Sequence, residues 1–85
     1  MLKIEVESNI SGQRIRLIGR VRAENIEELS RHIAAGTTMD LREVTIVDLA
    51  AVRFLLSCEK NGVKLVNCSL YIREWIAREL TAHGQ

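Results

Sequence analysis

The hydrophobic period changes inside Val44-Thr-Ile-Val-Asp-Leu-Ala-Ala-Val-Arg-Phe-Leu-Leu56. Val44 to Val47 is β-branched throughout, the composition of a short strand, whereas Val52, Leu55 and Leu56 fall at the spacing of one helix face. Asp48 stands at the joint, and an aspartate just before a first helical turn accepts the backbone N–H groups that have no partner inside the helix. A strand running directly into a helix is the repeating unit of α/β architectures.

With 85 residues and 9.6 kDa, the chain is read as one domain, 1–85, burying about 60–65% of the surface its unfolded form exposes. Hydrophobic residues make up 47% and charged residues 27%, and no apolar run approaches the ~18 residues that would suggest a membrane span. The alternation Leu2-Lys3-Ile4-Glu5-Val6-Glu7, directly after Met1, has no apolar core of a secretory leader, so a cytoplasmic protein is expected. Cys58 and Cys68 are not spaced as a CxxC pair and are read as small buried hydrophobes. In that compartment the sequons at Asn9 and Asn67 carry no glycan. A net charge of +1 argues against a nucleic-acid or membrane-surface specialist.

The order of elements follows from period and punctuation. Leu2, Ile4 and Val6 alternate with Lys3, Glu5 and Glu7 as a strand with one wet face; Ser8 to Gly12 is a turn, and Gln13 to about Val21 is a second strand with Ile15 and Leu17 inward. In this hairpin Glu5 and Glu7 come within reach of Arg14 and Arg16, which weakens an alternative reading of Arg14, Arg16, Arg20 and Arg22 as a basic patch. Asn25 to Ala35 places Ile26, Leu29 and Ile33 on one helical stripe, with Asn25 and Glu28 as a capping box and Gly36 as the left-handed terminator. His32 lies off that stripe and is read as an exposed helix residue. Thr37 to Leu41 is a third strand, and Thr45 to Val47 returns to extended form. The helix that begins at Asp48 stops at Gly62, Val63–Val66 is a fourth strand, and Ser69 caps a last helix carrying Ile72, Trp75, Ile76 and Leu80. The expected fold class is α/β: a mixed sheet of about four strands, an N-terminal hairpin followed by β-α-β-α-β-α, with helices mainly on one face. The other face then relies on side chains or a partner, and Val63–Val66 becomes an edge that invites pairing, including homodimerisation.

Asp40-Leu-Arg-Glu-Val-Thr-Ile-Val-Asp48 resembles the DL-x-x-V-T-x-x-D segment of STAS domains, the fold of bacterial anti-sigma factor antagonists. Ile15-Arg-Leu-Ile-Gly-Arg-Val21 is similar to that family's L-x-L-x-G second strand, and Val63 to Ser69 leading into Ile72-Arg-Glu-Trp-Ile76 extends the likeness along nearly the whole chain. The resemblance implies a protein-interaction and regulatory module, with a kinase-like or sigma-regulating partner. It also implies that the hydroxyl two residues after the aspartate is phosphorylated. Here Leu49, Ala50 and Ala51 follow Asp48, and Ala50 has no hydroxyl to phosphorylate. A further departure is length, since the family commonly continues through another strand and helix.

No other constellation carries chemistry. The acids form no pair that the fold brings together, no Ser-His-Asp or Cys-His arrangement has supporting context, and His83 is expected in a frayed tail. The five glycines are isolated at turns and helix ends, unlike a phosphate-binding loop, and the acid at the start of the Asp48 helix would repel a phosphate there. The expectation is no catalysis, no cofactor and no metal. The candidate partner-binding residues are Asp48, Leu49, Ala50, Ala51 and Arg53, at the start of the second helix. The alternative is a structural homo-oligomer, or a subunit of a stressosome-like or transporter-associated assembly, working through the free edge.

Overall fold

A computed structural model describes residues 1–83, the side chain of His83 excepted. The elements are β1 (Leu2–Asn9), β2 (Gly12–Val21), a 3₁₀ turn (Ala23–Asn25) leading into α1 (Ile26–His32), β3 (Thr38–Val47), α2 (Leu49–Lys60), β4 (Lys64–Val66) and α3 (Leu70–His83). The sheet order is β1-β2-β3-β4, with β1 antiparallel to β2 and the other two pairings parallel. This is the α/β arrangement that the order of periods predicts.

Strand alternation separates the sheet into two chemically different faces. Ile15, Leu17 and Val21 of β2 and Met39, Leu41 and Val47 of β3 are buried in one cluster with Leu29 of α1, the apolar face of α2, and Ile72 and Ile76 of α3. On the opposite face Glu5 pairs in register with Arg16, and Arg16 with Asp40. Arg16 donates to Glu5 through Nε at 3.1 Å and Nη2 at 2.9 Å, and Lys3 lies 3.4 Å from the same carboxylate. The centre of the uncovered face is therefore finished by ion pairs, while Ile46, opposite Arg20, is left 43% exposed on it.

Several sequence expectations need correction. The first helix does not run from Asn25 to Ala35: Ile33 is already extended at φ −110° and ψ 129°. The buried Thr37 closes a turn instead, its hydroxyl accepting from the Ala34 N–H and its own N–H reaching the Ala34 carbonyl. Gly36 does have φ +90°, but it sits in that turn, where its N–H bonds to Gly62 O. Asn25 does not cap with Glu28; its side chain accepts from the Arg22 N–H and shapes the 3₁₀ turn. His32 is half-buried. The gap left between Leu41 and Thr45 is also absent, because β3 continues through it by absorbing extra residues: Arg16 faces Asp40 while Ile18 faces Glu43, and Gly19 faces Val44 while Arg20 faces Ile46. Val63 is buried ahead of β4, which holds only Lys64 to Val66. His83 is the last residue of α3.

Gly19 shows why the second-strand pattern carries a glycine. Its φ is +108°, and a Cβ placed there would lie 2.4 Å from the Met1 carbonyl oxygen. Only a residue without a side chain fits that approach. α3 lies antiparallel to α2, since Arg73 near its start holds Glu59 near the end of α2 at 2.9 Å, and Glu79 near its end accepts from Arg53 near the start of α2 at 3.1 Å.

Candidate functional site

The start of α2 is assembled by a single carboxylate. Asp48 is extended at φ −106° and ψ 179°, which aims its side chain back over the first helical turn. Oδ1 accepts from the Ala51 N–H at 2.8 Å, and Oδ2 accepts from the Ala23 N–H at 2.9 Å. The aspartate thus caps α2 and ties it to the segment that leaves β2. The Ala23 N–H does most to hold its carboxyl below the usual aspartate range; burial opposes this, and the Ala51 N–H and Arg22 reinforce it. An ionised acid with both oxygens engaged by backbone is poorly placed to move protons.

Around this cap the expected contact residues divide. Leu49 is 41% exposed, Ala50 is half-buried and Arg53 is exposed, and the i, i+3, i+4 relation puts these three on one side of the helix. Ala51 is 0% exposed. It belongs to the core, because the helix turns it toward the sheet, and it offers nothing to a partner. Arg53 is held by Glu79 of α3, so the surface at this end of α2 draws on two helices. Thr45 donates its hydroxyl to the Gly19 carbonyl at 3.1 Å, while Ser57 is exposed on α2 beside Asn61.

A second carboxylate, Asp40, has a role the sequence does not announce. It is only 5% exposed although it lies on the uncovered sheet face. Arg14 donates to Oδ2 at 2.8 Å, while the Arg42 N–H and the Asn67 amide donate to Oδ1 at 3.0 and 3.1 Å. Burial opposes ionisation of Asp40, but these three donors outweigh it and keep the carboxyl below its ordinary value. Asn67 adopts the left-handed conformation at φ 56°, which turns the chain after β4 toward Asp40. The available signal was an acid between two apolar strand residues, Met39 and Leu41, both now buried. A hollow of about 310 Å³ lies beside it, lined by Glu5, Glu7, Arg14, Arg16, Asp40 and Arg42. Three acids and three guanidinium groups balance there, and two of the arginines are spent on internal carboxylates.

The remaining candidates are quiet. Cys58 is buried, with its thiol pushed up to about 11 by burial, and burial also raises that of Cys68. Neither is a ready nucleophile. Among the described residues no group of three or more His, Cys, Asp or Glu is placed to hold a metal ion, and no helix is long and apolar enough to cross a membrane.

No family model matches the sequence, and no curated protein is similar enough to it to count as a relative. Solved structures do share its fold. The crystal structure of an anti-sigma factor antagonist STAS domain from Rhodobacter sphaeroides superposes with a TM-score of 0.61 at 16% identity, covering 78% of this chain and 86% of that one. The anti-sigma factor antagonist SpoIIAA in its unphosphorylated form gives 0.64 at 15% identity, over 85% of this chain and 79% of that one. An uncharacterized protein from Shewanella loihica with a SpoIIAA-like fold gives 0.53 at 17% identity, over 95% and 78%. The chain therefore has a STAS-like fold, and at these identities the likeness speaks for architecture alone.

Proposed function

We propose that the chain is a non-catalytic protein-interaction module of regulatory type, acting in the cytoplasm through the start of α2. The observation that supports this most is the make-up of that joint: Leu49 and Arg53 are exposed beside Ala50, above an aspartate turned wholly to structural use. An exposed leucine next to a small residue lets a partner approach closely, and Arg53, pre-oriented by Glu79, supplies a charged anchor. Two of the structures sharing the fold are anti-sigma factor antagonists, and one is described in an unphosphorylated form. The family pattern puts the phosphorylated hydroxyl at position 50. With alanine there the module stays permanently in the unphosphorylated form, and its partner is a kinase-like or sigma-regulating protein.

The test is capture of the partner on immobilised protein with and without ATP. Binding is expected to be insensitive to ATP, to leave residue 50 unmodified and to be lost in Arg53→Glu. A partner released only by phosphorylation of Thr45 or Ser57 would overturn the reading.

A second reading, a homo-oligomer or assembly subunit joined through Val63–Val66, draws on the position of β4 at a sheet edge. That edge offers three strand residues. Sedimentation at several concentrations separates the two: a dimer that Val66→Lys dissociates supports the second reading, and a monomer at high concentration removes it.

A further inference from the structure

The two edges of the sheet are not equivalent, and the more capable one is β1. On the far side, β4 has three residues, and the β3 segment above it carries two register irregularities, devices that discourage strand addition. β1 pairs with β2 without interruption over eight residues, Leu2 to Asn9. Its inward residues are incompletely covered: Leu2 and Ile4 are half-buried and Val6 is 44% exposed, whereas Ile15 and Leu17, their neighbours on β2, are fully buried.

The hydrogen-bond parity of this edge is fixed. The Arg20 N–H bonds to the Met1 carbonyl, and Met1 is in step with Lys3, Glu5 and Glu7. Those residues direct their backbone groups at β2, so Leu2, Ile4, Val6 and Ser8 direct theirs outward, where the described residues add no further strand. We propose that a second copy of this chain adds to β1 antiparallel, about a two-fold axis through Ile4, giving one continuous sheet across both copies.

Charge selects that register. With Ile4 opposite its own counterpart, Leu2 faces Val6 of the other copy, and Lys3 faces Glu5 twice, once on each side of the axis. About six main-chain hydrogen bonds join the Leu2, Ile4 and Val6 pairs, all of outward parity. Moving the axis to Lys3 opposes two lysines, moving it to Glu5 opposes two glutamates, and moving it to Val6 sets Glu5 against Glu7. The register at Ile4 is the one that meets apolar with apolar on one face and opposite charges on the other.

Sedimentation equilibrium of the full chain is expected to show a dimer. Val6→Pro removes an outward N–H without touching the β1–β2 ladder, and a proline is tolerated at such an edge. It is expected to weaken self-association by at least about tenfold, with an unchanged thermal melt of the monomer. Lys3→Glu, on the wet face, is expected to weaken it as well and to make the residual association stronger in high salt. On oxidation Ile4→Cys is expected to link two copies, while Ser8→Cys stays unlinked. A monomer at several hundred micromolar overturns the proposal, and so does a dimer that Val66→Lys dissociates and Val6→Pro leaves intact.

Discussion

Asp40 and Asp48 are both held ionised by several donors, yet they do different work. Asp48 serves a helix end: one bond goes to a residue three positions on, and the other reaches Ala23. Asp40 serves the sheet, joining β2 through Arg14, its own strand through Arg42 and the turn after β4 through Asn67. A carboxylate's weight in a fold depends on how many groups are committed to it. Asp40 is buried and takes three donors, although Arg14 and Asn67 themselves keep contact with water; Asp48 is half-exposed and takes two backbone donors.

Asp40→Ala is expected to cost about 2 kcal/mol, the loss of three hydrogen bonds to a buried acid whose side-chain partners, Arg14 and Asn67, can turn to water. Chemical denaturation measures this, and a cost below that of Asp48→Ala would reverse the ranking. Asp48→Ala is expected to cost about 1–2 kcal/mol, the loss of an N-cap plus the tie to Ala23, with the α2 amides showing the earliest loss of hydrogen-exchange protection. Both carboxyls titrate below their unfolded value of about 3.9. Their contribution is therefore fully present above that value and is lost as pH falls through and below about 4. Acid titration of stability should show this loss diminished in each alanine variant. At the small end, Ala50→Ser changes stability by less than about 0.5 kcal/mol, yet it restores a hydroxyl beside the Asp48 cap. If the start of α2 is a contact surface of the proposed kind, incubation with the captured kinase-like partner labels this variant and leaves the parent unlabelled at that position.

Much of the joint was legible because its logic is local. The β-branched run, the capping aspartate and the i, i+3, i+4 stripe of α2 lie within a few residues of one another, and the structure repeats them nearly residue for residue. Period alone overextends the first helix, because the chain after it is governed by Thr37, whose buried hydroxyl captures the Ala34 N–H from outside the periodic segment. Spacing alone does not say which way a helix faces, so only the folded chain shows Ala51 turned into the core.

The sequence by itself determined the order of strands and helices, the cap at Asp48 and the absence of a hydroxyl at position 50, since each is set by side chains acting on their own neighbourhood. The tertiary structure alone decided that Asp40 is a pin, that Arg53 belongs with Glu79 and that β1 presents the regular edge. Those facts join residues 26 or 27 positions apart, or compare opposite sides of a sheet, and only the folded chain brings such partners within reach of a hydrogen bond.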